Sequence, residues 1–333
     1  MRLRTPPDWY RRDRRRGASA WLVSPLAWAW TAVTASRIAR ARPLDPGAPV
    51  ICVGNLTVGG VGKTPIVREL ASRLRGRGAE AQVLMRGHGG RLVGPVRVDP
   101  AAHGAGEVGD EALMLAADFP VWVARDRAAG ARAAVAAGAS VIVMDDGHQN
   151  PSVAKALSIV VVDGETRDGE WPFGDGAVVP AGPMREPLAV GLARADAVIL
   201  LVPDDLPAAD PELLALFGGA PVLIARLTPA ALPPPGPQLA FAGIGKPWKM
   251  ERALKAAGCD LVDFAPLADH EVPSERLLGF LADRAQALGA GLVASEKDWV
   301  RLSPAWRARV VAWPVRARFE DEAAVDALLA KIA

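Results

Sequence analysis

Residues 50–65 read Val-Ile-Cys-Val-Gly-Asn-Leu-Thr-Val-Gly-Gly-Val-Gly-Lys-Thr-Pro: an apolar run, a glycine-rich turn, then the opening of a helix. No other stretch constrains the chain as strongly. A strand that feeds a helix through such a turn belongs to a parallel sheet, and the turn is a phosphate-binding P-loop. Gly59, Gly60 and Gly62 let successive backbone N–H groups converge on an anion, Lys63 offers a charge to terminal phosphates, and Thr64 offers a hydroxyl to Mg²⁺. The residues expected to hold a nucleoside triphosphate such as ATP are therefore Thr57, Val58, Gly59, Gly60, Val61, Gly62, Lys63 and Thr64. Thr57 stands where the strict pattern has glycine, so the loop is a variant. Pro65 fits the first helical turn, whose N–H groups have no intrahelical partner to lose.

At 333 residues the chain is long enough for two domains with their own cores. Its two cysteines, Cys52 and Cys259, form neither a disulfide framework nor a zinc pattern. The net charge of +2 conceals an asymmetry: ten arginines against two aspartates fall in residues 1–42, leaving the remainder acidic. Between Arg16 and Arg37 lies an uncharged stretch holding Trp21, Leu22, Leu26, Trp28, Trp30 and Val33. Ser24-Pro25 reads as an N-cap and first helical residue, which predicts a helix over 25–40, roughly 24 Å long and short of the ~30 Å hydrocarbon core. With arginines on both sides and tryptophans that favour an interface, this arm is expected to lie on an anionic membrane surface. The alternative is an amphipathic helix packed on the protein's own core. No small-residue cleavage site follows it, and no nucleic-acid-binding module is visible.

Beyond the arm, strands are expected over 50–53, 81–85, 121–124, 141–144, 159–162 and 197–202, separated by alanine- and leucine-rich helical stretches. Such βα repetition implies an α/β fold: a mostly parallel sheet with helices on both faces. A proline-rich region ending Pro233-Pro-Pro-Gly-Pro237 reads as linker around a short helix and a strand over 222–227. A second βα set follows, with strands over 239–244, 260–264, 291–295 and 310–313. The expected organisation is a basic arm (1–42), a P-loop lobe (43–203), a linker region (204–237) and a smaller α/β lobe (238–333), with a cleft between the lobes.

Two acidic clusters carry the remaining chemistry. The strand over 141–144 ends in Asp145-Asp146, at the carboxyl end of the sheet where α/β folds bind ligands, and a P-loop site needs such an acid near Mg²⁺. Asp110-Glu111 follows a glycine-broken loop and opens a helix over 112–117, where acidic residues also serve simply to complement the helix dipole. His103 reads as a surface histidine, and Trp248, Trp299, Trp306 and Trp313 as core or lobe-packing residues.

In sequence order, Gly54-Asn-Leu-Thr-Val-Gly-Gly-Val-Gly-Lys-Thr-Pro65, Arg86-Gly87, Gly109-Asp-Glu111, Asp145-Asp-Gly-His-Gln149, Pro180-Ala-Gly-Pro-Met-Arg-Glu-Pro187, Gly243-Ile-Gly-x-Pro247, Asp269-His270 and Ser295-Glu-Lys-Asp298 resemble the motifs of the tetraacyldisaccharide 4′-kinases. The resemblance covers essentially the whole chain. It implies transfer of the γ-phosphate of ATP to the 4′-hydroxyl of a tetraacyldisaccharide 1-phosphate, a lipid A disaccharide precursor, giving lipid IVA at the cytoplasmic face of the inner membrane. It also implies a peripheral or monotopic attachment and no protein partner. Matched residue by residue, Lys63 and Thr64 go to the phosphates and Mg²⁺, and Asp145, Asp146 and Gln149 to the metal region. Asp110 matches the residue that takes the proton from the sugar, His270 its partner, and Glu111 and Arg185 further active-site positions. His88 departs from the family's usual tyrosine and Glu271 from a common second histidine.

Two other readings share the P-loop. A membrane-cycling ATPase switch usually carries lysine just before its glycine pair, where this chain has Val58, and it gives Asp110 and His270 no role. A soluble kinase for another small substrate leaves the arm idle.

Overall fold

In the computed structural model, residues 6–13, 17–269 and 271–332 are described. The first lobe is built on β1 (Val50–Gly54), β2 (Ala81–Met85), β3 (Val96–Arg97), β4 (Val121–Val123), β5 (Val141–Asp145), β6 (Leu157–Asp163), β7 (Ala197–Leu201) and β8 (Val222–Pro229). The second carries β9 (Gln238–Ala242), β10 (Leu261–Pro266), β11 (Gly291–Ser295) and β12 (Val310–Trp313), and the chain ends with β13 (Val315–Phe319) and the helix Glu322–Leu329. The large sheet has nine strands in the order β13-β8-β7-β6-β1-β5-β2-β4-β3, the small one four in the order β10-β9-β11-β12. Pairing is parallel throughout except at the two ends of the large sheet, where β13 and β3 run antiparallel to their neighbours.

Alternation along the central strands decides which helix packs where. Ile51 and Val53 face α2 (Lys63–Gly76), which contributes Ile66, Val67, Leu70 and Leu74 to one buried layer. Val50 and Cys52 face the other side, where α5 (Arg127–Ala136) contributes Ala131 and Ala134. Both faces are thus covered, as near-continuous apolar strands require. The smaller sheet repeats the arrangement, with the helix Glu275–Ala287 on one face and Pro247–Ala256 on the other.

Three elements differ from expectation. The region 204–237 supplies β8 to the large sheet, and the chain crosses back from the small sheet to the large one through Pro314 alone, between β12 and β13. The expected boundary at 238 therefore does not end the first lobe: its sheet also receives β13, and Val325, Leu328 and Leu329 of the last helix join the core around α2. The signal was weak because β13 reads Val-Arg-Ala-Arg-Phe, a short edge strand rather than a buried apolar run.

The arm helix α1 spans Ala18–Arg40, with Pro25 inside it. Ser24 is not its N-cap: its hydroxyl donates to the Ala20 carbonyl at 2.9 Å. At 23 residues the helix is about 34 Å long, so the length argument against spanning fails, yet among the described residues no helix is both long and apolar enough to cross a membrane. Ala27 packs on Ala177 and Ala181, while Trp21, Leu22, Leu26, Trp28, Trp30 and Val33 are each more than half exposed. Small side chains face inward and large apolar ones outward.

The lobes are bridged by ions on both sides of the cleft. On one side Arg68 of α2 pairs with Glu296 at 2.7 Å. On the other, Asp163 at the end of β6 meets Lys246 at 3.0 Å and Lys249 at 2.6 Å. Burial acts to raise the Asp163 carboxyl, but Lys249 and Lys246 outweigh it and bring it down to about 2. A folded value below the unfolded one stabilises the fold above about pH 4, by on the order of 2 kcal/mol, and this is lost as pH falls toward 2. We expect Asp163→Asn to lower stability at neutral pH and to flatten the acid decline over that window, read as urea midpoints against pH; a decline as steep as the parent's would uncouple Asp163 from the lysines.

Candidate active site

The P-loop runs from β1 into α2, and its turns depend on glycine where the backbone enters the left-handed region: φ is 86° at both Gly59 and Gly62. Residue 57 has no positive φ, and it forms an antiparallel bridge with Met184, so the glycine missing from the strict pattern is not required there. The loop is held largely by its carbonyl groups. Gln149 Nε2 donates to Asn55 O at 2.9 Å, Asn55 Nδ2 and Arg185 Nε each donate to Thr57 O at 2.8 Å, and the Tyr10 hydroxyl donates to Val58 O.

Asp145 closes β5 opposite Val53 of β1, which carries Asp145-Asp146 to the mouth of the P-loop. Asp146 adopts φ 52°, a left-handed conformation that most side chains disfavour. Its Oδ1 accepts from Arg185 at 2.7 Å and lies 3.5 Å from Lys63 Nζ. Burial opposes the charge on Asp146, but Lys63 and Arg185 outweigh it and hold the carboxyl well below the usual range. Asp145 is the reverse case. Burial pushes its carboxyl up to about 7 against the pull of Lys63, with Glu111 and Asp146 adding to the rise.

Asp145 Oδ1 is buried without a hydrogen-bond partner. An orphaned carboxylate oxygen beside a P-loop suits a hard cation, and with Thr64 and Asp146 it forms an all-oxygen set appropriate to Mg²⁺. Among the described residues no three His, Cys, Asp or Glu side chains cluster to hold a metal unaided. A Mg²⁺ here would need phosphate oxygens as well, as is usual for that ion.

The turn carrying these acids is braced from beneath. Lys155 Nζ donates to the carbonyls of Gly147 and His148 at 2.7 and 2.8 Å. His148 bridges Ser158 Oγ and Gly191 O, and burial, aided by Arg194, depresses its imidazole to about 4. It is therefore neutral, donating through Nε2 to the Gly191 carbonyl and accepting from Ser158 at Nδ1. Gln149 also donates to Glu186, which Arg194 grips with two 2.7 Å bonds.

On the first lobe's side of the lobe interface, α3 (Ala105–Val108) and Gly109 deliver α4 (Asp110–Leu115), which starts two residues before the sequence suggested. Both of its leading acids are ion-paired to the second lobe: Glu111 with Lys297 at 3.0 Å, Asp110 with Arg301. Between the lobes lies a cavity of about 590 Å³ lined by P-loop residues 57–61 together with Tyr10, His88, Asp163, Lys246 and Asp269.

Lys63, Asp146, Arg185 and Thr57 are joined directly, with Gln149 and Asp145 alongside, and Glu111 is close enough to act on Asp145 electrostatically. His270, matched as the partner of Asp110, lies outside the described residues. His103 is half-buried, its Nδ1 accepting the Asp99 N–H at 2.9 Å, and Trp306 and Trp313 are buried. Sequence reasoning assigned no site role to Asn55, Glu186, Lys246 or Arg301. Glu186 and Lys246 sit inside runs already singled out, whereas Arg301 had no local signal because its partner is 191 positions away.

The family model for "Tetraacyldisaccharide-1-P 4'-kinase" (LpxK) matches residues 19–333. A tetraacyldisaccharide 4'-kinase of Phenylobacterium zucineum is 69% identical over 330 residues, 99% of either chain, and one of Caulobacter sp. K31 is 65% identical over 333 residues, 100% of this chain and 99% of that one. In three dimensions the chain is similar to a crystal structure of "apo" form LpxK from Aquifex aeolicus in complex with ATP, at TM-score 0.74 and 24% identity, over 94% of this chain and 99% of that one. That likeness bears on the fold.

The close approach of Gly54 to the acidic turn gives a sharp test. A Cβ on Gly54 would lie 2.5 Å from His148 Cβ and 3.0 Å from its backbone nitrogen. Neither neighbour is a flexible tip. Gly54→Ala is therefore expected to destabilise the fold by roughly 1–3 kcal/mol, as overpacked cores do, and to weaken nucleotide binding by displacing Asp145 and Asp146; an unchanged melting temperature with parental nucleotide affinity would refute the packing argument.

Proposed function

The chain belongs to the tetraacyldisaccharide 4′-kinase family and is an ATP-dependent kinase that phosphorylates a lipid A precursor at its 4′ position; from that premise we propose which residues do the work and where. P-loop amides of residues 59–62 and the Lys63 ammonium bind the β- and γ-phosphates, with Thr57 and Val58 forming the wall of the loop, the Val58 N–H being held by the Pro183 carbonyl at 2.9 Å, and Arg185 completing the positive wall. Thr64, Asp145 and Asp146, with Gln149 beside them, would hold Mg²⁺, which would supply neutralisation of phosphate charge. Asp110 accepts the proton of the 4′-hydroxyl, with His270 as its partner. The sugar oxygen then forms its bond to the γ-phosphorus as the bond to the β-phosphate oxygen breaks, and that electron pair leaves with ADP. Phosphoryl transfer asks a protein mainly for such positioning and charge neutralisation.

The observation that carries this reading is the linkage of Lys63, Asp146, Arg185 and the Thr57 carbonyl around one loop, with Glu111, next to Asp110, close enough to act on Asp145. The substrate is a lipid, and the exposed apolar face of α1 supplies the second half of the proposal. That face lies on the anionic cytoplasmic surface of the inner membrane, a peripheral attachment that brings the cleft to a substrate dissolved in the bilayer.

Lys63→Ala is expected to lower turnover on the order of 10²-fold or more while leaving the melting temperature near the parent's, because its charge acts on the transferring phosphoryl group. Phosphate transfer from labelled ATP to the purified disaccharide lipid checks it, and parental turnover would falsify the P-loop assignment. Leu22→Ser, Leu26→Ser and Trp28→Ser together should release the protein from anionic vesicles in a cosedimentation assay without altering its fold. Undiminished binding would move the membrane contact elsewhere.

A further inference from the structure

Arg301 follows the short helix Glu296–Trp299 of the second lobe, yet it reaches the first. Its side chain is 3% exposed. Nε donates to Asp110 Oδ2 at 2.9 Å, a terminal nitrogen bonds the same oxygen, and the other terminal nitrogen donates to Asp298 Oδ1 at 2.8 Å. Longer bonds run to the carbonyls of Gly243 at 3.3 Å and Glu271 at 3.4 Å. Asp298 is fully buried, accepts from the Gly243 N–H at 2.8 Å and is bonded to the Ser295 hydroxyl. Asp110, Arg301 and Asp298 thus form a carboxylate–guanidinium–carboxylate chain across the lobe interface.

Stability does not explain such a chain. Desolvating charges of this kind costs several kcal/mol each, and well-packed apolar residues of similar volume hold an interface as well or better. What an apolar trio cannot do is orient a carboxylate. We propose that Arg301 is a positioning residue for phosphoryl transfer, fixing the rotation and the ionised state of the Asp110 carboxylate from the opposite lobe, so that the proton acceptor is correctly set only when the lobes are docked.

This rests on the reading of Asp110 as the proton acceptor. Three features make Arg301 suited to the task. Both of its bonds to Asp110 converge on Oδ2, which pins that oxygen, while Oδ1 accepts the Glu111 N–H at 2.8 Å. Asp298 holds the guanidinium from behind, so that its direction is set within the second lobe. The charged and titratable groups around Asp110 otherwise pull both ways: Glu111 on its own helix, Lys297 and Asp298 on the segment after β11, Asp269 and Glu271 on the loop after β10, and His88 on the loop that packs against Gly109. Lys297 is already engaged by Glu111. Among the described residues, Arg301 is a cation in direct contact with Asp110.

The test is steady-state kinetics on the full-length chain with the disaccharide lipid acceptor, in Arg301→Met, Arg301→Lys, Asp298→Asn and Asp110→Asn. Arg301→Met should lower turnover on the order of 10²-fold with the KM for ATP near the parent's, as expected when a reacting group is misoriented. The acid limb of its pH–rate profile should move to higher pH, because the cation favouring the ionised carboxylate is gone. Arg301→Lys should restore the acid limb but only part of the turnover, since lysine keeps the charge and loses the planar fork. If Arg301→Met does not fold, Asp298→Asn gives the same reading at smaller amplitude, by loosening Arg301 without removing it. An acid limb and turnover that stay parental in the folded variants, with Asp110→Asn inactive, overturn the role of Arg301 alone. Parental turnover in Asp110→Asn overturns the proton-acceptor reading instead.

Discussion

A loop that turns its N–H groups toward an anion must turn carbonyl groups away from it, and buried carbonyls need donors of their own. The rest of this site follows from that requirement. The donors at residues 55, 57 and 58 are Gln149, Asn55, Arg185 and Tyr10, drawn from the acidic turn, the loop itself, the segment before Pro187 and the N-terminal arm. Each therefore does more than one thing. Arg185 holds the loop through Nε and Asp146 through a terminal nitrogen, which fixes the distance between the P-loop and the acidic turn. Gln149 ties the loop to Glu186 in the same way.

The same economy governs the arm. α1 presents alanine, serine and threonine to the body and leaves its tryptophans and leucines outside, because a helix that rests on a thin loop has no deep core to fill. Trp30 nevertheless donates its indole N–H to the Arg185 carbonyl at 3.1 Å, and Arg37 donates to the Gln149 carbonyl at 3.3 Å. The arm helix is thus hydrogen-bonded to the backbone of two residues that also hold the P-loop.

The lobes meet through charge as well as through Val300 and Trp299, which pack on the core of the first lobe. Ser295-Glu-Lys-Asp298 shows why a short run can matter at distance: Ser295 caps its helix by accepting the Asp298 N–H, Glu296 pairs with Arg68, Lys297 with Glu111, and Asp298 with Arg301. Ion pairs of this kind are directional and separable, whereas an apolar interface of equal size would hold the lobes without preferring one register. A cleft that must admit ATP and a lipid sugar benefits from a contact that can part and re-form.

Several features were legible in the chain itself. The P-loop, the βα alternation, the acids after β5 and the basic apolar arm are written in contiguous residues, because local geometry and periodicity are set by neighbours within a few positions. Kinship added roles for Asp110 and Arg185 that spacing alone could not supply. The tertiary structure decided the rest. It joined β13 to the sheet of the first lobe, extended α1 past Ser24 and Pro25, oriented α1 with its large side chains outward, and brought Arg301 to Asp110. Each of these depends on what lies across a sheet edge or a lobe interface, and neither a short half-exposed strand nor a lone arginine carries a local mark of a partner so distant in the sequence.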